Sequence, residues 1–141
     1  MAVVNDKGII NLPCANEVIY EGYCYVSSSG NMTKTTTASD DVLIAVESSI
    51  DSEGAAKTLA AGQKMPFFVM GSGRTVKVAS AISITYTLLC PVYLSTTDGL
   101  VDTTSSSATM IGHYVGPNNV ATVASGDLID VILDVPCGGL A

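Results

Sequence analysis

The chain has 141 residues, enough for one domain with an adequate core but cramped for two independent ones. Charged residues make up 13% against 48% hydrophobic, and 13 Asp+Glu against 6 Lys+Arg leave a net charge of −7. That balance repels phosphate backbones and argues against a general nucleic-acid binder. The apolar content excludes a solvated coil, and a single histidine with no tryptophan starves most enzyme chemistry of parts.

The N-terminus, Met1 to Lys7, shows no basic stretch followed by an apolar run, so no export signal is visible. Residues 1–16 then carry an apolar patch, Ile9, Ile10 and Leu12, that reads either as an arm docking elsewhere or as an edge strand. These three are the candidate inter-subunit or partner contacts.

From about residue 17 the sequence is written twice. Tyr25-Val26-Ser27-Ser28-Ser29-Gly30 matches Tyr93-Leu94-Ser95-Thr96-Thr97-Asp98-Gly99, and each is followed by a Thr/Ser-rich stretch, Thr33 to Ser39 and Thr103 to Thr109. Apolar strands follow, Val42 to Val46 against Met110 to Val115, with His113 opposite Val46. Thr58 to Met65 then lies over Thr122 to Ile129. Two copies are too few for a solenoid, so the repeats, about 17–71 and 85–135, form one pseudo-symmetric domain over 17–141.

Both copies read as strands. Asp127 to Val135 alternates, with Ile129, Val131, Leu133 and Val135 on one face and Asp130 and Asp134 on the other. Gly71-Ser72-Gly73 between Lys64–Met70 and Arg74–Ser80 predicts a hairpin, and Ser29-Gly30-Asn31 and Asp98-Gly99 supply turns. Glu53 to Ala61 is at most one short helical turn before Gly62. Val78 to Thr97 is long enough and uncharged enough to span a membrane. It nevertheless alternates Ile82, Ile84, Tyr86 and Leu88 with Ser83, Thr85 and Thr87, the period of a strand. The predicted fold is all-β, a single barrel or sandwich built from two similar halves with little or no helix.

The chemistry is sparse. His113 lies mid-strand, with no Gly-x-Ser-x-Gly elbow in the chain, and reads as a structural or surface histidine. Asp40-Asp41, Asp51 with Glu53, Asp98 with Asp102, and Asp127, Asp130 and Asp134 read as solvated turn acids. No tryptophan accompanies them, and Asp51-Ser52-Glu53-Gly54 lacks the twelve-residue calcium loop. Cys14, Cys24, Cys90 and Cys137 form no CxxC, so they are expected to be reduced, mostly buried thiols, although three disulfide pairings are combinatorially open. Cys24 and Cys90, at nearly equivalent places in the repeats, point to packing. No catalytic, cofactor-binding or metal-binding residue is assigned, and the chain is read as a non-enzyme.

The doubled pattern resembles tailed-phage capsid decoration, or cement, proteins. The residues that carry it are Pro91-Val92-Tyr93-Leu94, Asp98-Gly99-Leu100-Val101, Thr103-Thr104, Ile111-Gly112 and Ala121 to Leu133 with Gly126-Asp127 inside. The first repeat is a looser copy, with Ile44-Ala45 for Ile-Gly and Gly62-Gln63 for Gly-Asp, and the likeness covers about residues 17–135. It implies a β-rich virion protein on the capsid exterior, assembled in the host cytoplasm. It also implies a major capsid protein as partner, itself as a homotrimer, and no cofactor, nucleic acid or membrane. A mean hydropathy of +0.43 agrees with apolar surface buried between chains. A tail-tube or head-fibre subunit, or a carbohydrate-binding β-sandwich, are the alternatives.

Overall fold

The computed structural model describes residues 8–34, 42–95, 99–104, 109–118 and 120–134. Most of both Thr/Ser-rich stretches, Asp98, Val135 and Cys137 lie outside the described residues. Among the described residues there are twelve strands: β1 Ile9–Pro13, β2 Cys24–Ser28, β3 Asn31–Lys34, β4 Leu43–Ala45, β5 Lys64–Phe68, β6 Thr75–Ala79, β7 Ile84–Thr87, β8 Pro91–Leu94, β9 Val101–Asp102, β10 Met110–Gly116, β11 Val120–Val123 and β12 Leu128–Ile132. They make two antiparallel five-stranded sheets, ordered β1-β5-β4-β2-β3 and β6-β12-β10-β8-β9, and a β7-β11 pair. The fold is all-β and built from two similar halves.

Each sheet curls toward closure, because a short parallel bridge joins its two ends: Cys14 to Met32 in the first and Ser80 to Val101 in the second. Curling removes the open edge that a flat five-stranded sheet would expose. The two sheets also share their detailed bonding. The Ala15 amide donates to the Met32 carbonyl as Ala81 does to Val101, both at 2.9 Å. Val69 donates to Gly8 as Leu133 does to Arg74, both at 2.8 Å. The single bridge between Val18 and Thr58 is the reduced counterpart of the β7-β11 ladder, where Thr85 faces Thr122. The equivalence takes in β1 and β6, which sequence comparison leaves outside the repeats.

This bonding corrects the repeat alignment by one or two residues. Ile44 sits between Cys24 and Phe68, whereas His113 sits between Pro91 and Ile132. His113 therefore matches Ile44 and not Val46, and Cys90 matches Tyr23 and not Cys24. Irregularities in β10, at Met110/Gly112 and Tyr114/Gly116, absorb the difference. In a structure with period two, a one-residue slip moves a side chain to the opposite face.

The expected hairpin at Gly71-Ser72-Gly73 does not form. β5 is already paired on both edges, by β1 and β4, so β6 crosses to the second sheet and pairs β12. Gly71 and Gly73 have positive φ, 77° and 74°, and turn the chain between sheets. Ser29-Gly30 does make the expected tight turn, with φ of 52° and 85° joining Ser28 to Asn31. Residues 53–61 are loop.

Two main apolar clusters follow from the alternation. One fills the first barrel with Cys14, Ile19, Tyr25, Met32, Leu43, Ala45, Leu59 and Phe67. The other contains Val76, Val92, Tyr114 and Val131 from the second sheet and Tyr86 from β7. Cys24 and Ile44, from the opposite face of the first sheet, join this second cluster, so it binds the halves together. Apolar burial of this kind stabilises at about 25 cal/mol per Å².

Candidate functional site

The groups that could do chemistry are mostly occupied in structure. Cys14, Cys24 and Cys90 are free thiols, the first two fully buried and Cys90 half-buried. Burial pushes the Cys24 thiol up to about 12 and also raises Cys14, which disfavours the thiolate that nucleophilic chemistry requires. Burial likewise raises the Tyr86 phenol to about 12. Its hydroxyl lies 2.7 Å from Ser80 Oγ and donates to the Val101 carbonyl at 3.2 Å, at the point where the second barrel closes. In the first half Ser49 has a comparable role: its Oγ accepts from the Ile19 amide at 2.9 Å and donates to the Lys57 carbonyl at 2.6 Å.

The carboxylates shape turns. Asp51 Oδ1 accepts from the Glu53 and Ala55 amides at 2.8 and 3.0 Å, and Asp127 Oδ2 accepts from Ala124 at 3.0 Å. Glu17 accepts from Thr33 Oγ1 and the Lys34 amide, both at 2.9 Å. Asp40 and Asp41 lie outside the described residues. His113 Nδ1 stands 2.8 Å from Asp134 Oδ2 on the open face of the second sheet, with both side chains partly solvated. Among the described residues no three His, Cys, Asp or Glu side chains are grouped to hold a metal ion. No described helix is long and apolar enough to cross a membrane. One shallow depression, bounded by Glu47, Ser49, Ile50, Lys57 and Met65 among others, encloses about 110 Å³. Small-molecule sites usually offer several hundred.

Exposed apolar surface stands out more. Ile82, Leu88 and Leu89, at the two ends of β7, are 66%, 52% and 62% exposed. This corrects the alternation read for that segment. Ile84 and Tyr86 turn inward, but Ile82 and Leu88 lie beyond the strand's ends, where the chain leaves the pleat. Leu89 has φ of +65°, a left-handed conformation costly for a leucine. Nearby, one face of the second sheet lacks a cover: Pro91, Tyr93, Met110, His113, Leu128 and Ile132 are half-buried or exposed. At the matching places of the first sheet Cys24 and Ile44 are fully buried.

The patch expected from sequence, Ile9, Ile10 and Leu12, lies on β1, paired with Phe68, Phe67 and Met65 of β5. Ile10 and Leu12 pack against the interior of the first barrel. Ile9 points to the other face, level with Phe68. All three are half-buried. The Leu88-Leu89 tip was missed by sequence reasoning. Its available signal was a second leucine directly after an alternating run, which no single strand face can bury.

No protein-family model, curated protein or solved structure matches the chain.

Proposed function

We propose that this protein is a structural component of a virion that binds the outer surface of an icosahedral phage capsid and stabilises it, as a homotrimer gripping the major capsid protein. The observation that carries the reading is the pairing of two fused small barrels with solvent-facing apolar residues at one tip. Such a body is stiff and offers surface to another protein, which is what a passive clamp requires. Many copies, each burying a modest interface, reinforce a shell through avidity. The resemblance of the repeated β-pattern to capsid decoration proteins supports the same reading, as do the acidic composition and the buried Cys24 thiol, whose pKa burial raises.

The test is co-sedimentation of purified protein with cognate heads lacking it, followed by heating of the decorated and bare heads. Saturable binding that raises the temperature of genome release is expected. Protein that stays in the supernatant at every concentration overturns the proposal. Spontaneous growth into long tubes without heads would instead assign the chain to a tail.

A further inference from the structure

The two barrels of one chain are held by a directional contact, and each barrel still shows the half of that contact the other has used. From the first barrel, the turn Tyr20 to Tyr23 reaches over to the second. The Gly22 carbonyl accepts from the Ala79 amide at 2.8 Å, and the Cys24 amide donates to the Gly99 carbonyl at 2.8 Å. The receiving surface is the end of β6, the Gly99 turn and the start of β12. A Cβ on Gly22 would lie 2.6 Å from Leu128 Cδ2, and one on Gly126 would lie 3.3 Å from the Tyr23 hydroxyl.

The inserted turn has a close copy in the second barrel. Tyr23 donates to the Tyr20 carbonyl as Cys90 does to Thr87, at 3.2 and 3.0 Å. Gly22 donates to Ala45 as Leu89 does to Tyr114, at 3.0 and 2.7 Å. Gly22 and Leu89 share the left-handed backbone, with φ of 80° and 65°. The tip that docks in the first barrel is thus Leu88-Leu89 in the second, where it projects into solvent.

The receiving surface also has a copy. Ala79 pairs with Leu128 as Pro13 pairs with Lys64. Gly126 donates to Ser80 as Gly62 does to Cys14, at 2.7 and 2.8 Å, and Gly30 turns the first hairpin where Gly99 stands in the second. In the first barrel Asn11, Gly30, Gly62, Gln63 and Lys64 are all exposed.

We infer that the Leu88-Leu89 tip of one copy docks on the Asn11–Pro13, Gly30 and Gly62–Lys64 surface of a second copy, continuing between chains the step that joins the barrels within one. The tip is apolar and its seat is mixed, with Asn11, Gln63 and Lys64 beside Pro13. The hydrogen bonds and close fit of the seam are not repeated: Pro13 has no amide proton to offer where Ala79 donates, and Leu89 carries a side chain where Gly22 has none, so the two leucines lie over Pro13 and the aliphatic stem of Lys64. A head-to-tail interface of this kind closes into a ring when its rotation permits. With three chains the ring would hold six barrels in near-equivalent settings. The inference rests on the self-association in the proposed function but not on the capsid, so it is tested without heads.

The experiment is light scattering on the whole chain across a concentration range. The wild type is expected to reach three chains of 14.5 kDa, about 43.5 kDa. A donor-face variant, Leu88→Asp with Leu89→Asn, and a receiver-face variant, Gln63→Glu with Lys64→Glu, should each associate at least about tenfold more weakly. Asparagine suits the left-handed position and all four sites are exposed, so both variants should remain folded, which circular dichroism verifies. Mixed together, the two variants each retain one intact face and should form a pair of about 29 kDa, twice the chain mass, that grows no further. A wild type that remains at 14.5 kDa overturns the inference. So does a mixture no larger than its components, because that is the behaviour of a two-fold interface or of a contact elsewhere.

Discussion

The two barrels are built to one plan and buried to different depths. In the first, both faces of the sheet reach apolar clusters: Tyr25, Ala45 and Phe67 point into the barrel, and Cys24 and Ile44 point into the cluster shared with the second half. In the second, Val76, Val92 and Val131 point inward, while the other face carries Lys77 against Asp130 and His113 against Asp134. The same topology thus yields one sheet whose outer face is dry at Cys24 and Ile44 and one whose outer face is wet at the matching places. Closing and covering a barrel is a local property of each repeat, but what lies on its back depends on which neighbour it meets. The first barrel meets the second; the second meets solvent or another molecule.

The largest difference to probe is how tightly the second barrel is wound. A Cβ on Gly112 would sit inside the van der Waals envelope of the Ile132 carbonyl oxygen, so Gly112→Ala should cost on the order of 3–5 kcal/mol or prevent folding. The glycine therefore permits close approach of backbones mid-strand. Urea denaturation measures it, and a loss below about 1 kcal/mol would contradict the tight approach of β10 and β12.

Gly22→Ala acts on the seam instead. It combines a φ of +80° with contacts to the Lys77 carbonyl and Ala79 amide, and should cost about 2–3 kcal/mol. Hydrogen exchange should show the Ala79 and Cys24 amides losing protection before the amides of β4 and of the rest of β2. Uniform loss would mean the barrels do not separate at this point.

Alkaline pH tests the core shared by both barrels. The Cys24 thiol is raised from an ordinary 9.0 to about 12, so its contribution to stability is complete below pH 9 and is lost as pH climbs toward 12. Tyr86, raised from 10.0 to about 12, adds to the loss from pH 10 upward. The denaturation midpoint should fall across that window, and Cys24→Ala, although less stable at pH 7, should fall less steeply.

Tyr86→Phe sharpens the comparison at the closure of the second barrel. It removes one buried hydrogen bond each from the Ser80 hydroxyl and the Val101 carbonyl, both of which keep Ala81 as a partner, and should cost about 1 kcal/mol. The smallest effect belongs to the open face. Lys77→Ala breaks the ion pair with Asp130, but Lys77 is half in water, so thermal melts should register less than about 1 kcal/mol.

Much of this plan was legible in the sequence, because the strands carry their burial in period two. Ile129, Val131 and Leu133 against Asp130 and Asp134 could be placed on their faces before any tertiary contact was known. The paired Tyr, Gly and apolar segments revealed the duplication for the same reason. The errors cluster where alternation stops. Gly71-Ser72-Gly73 has the composition of a hairpin turn, and only the occupied edges of β5 send the next strand to the other sheet. Ile82 and Leu88 extend an alternating run past the residues that actually pair.

The candidate site was the least legible part. Leu88 and Leu89 look like core residues in isolation, and Ile9, Ile10 and Leu12 look like a free patch. The pairing of β1 with β5 turns Ile10 and Leu12 inward, and the end of β7 leaves both leucines in solvent. That this chain is all-β, duplicated and poor in reactive groups is readable from period, repetition and composition. The register between the halves, the use of Gly22 as their seam and the exposure of its counterpart arise in the folded molecule. Those depend on which edges and faces are already taken, and that is a property of the assembled sheets, not of any one strand.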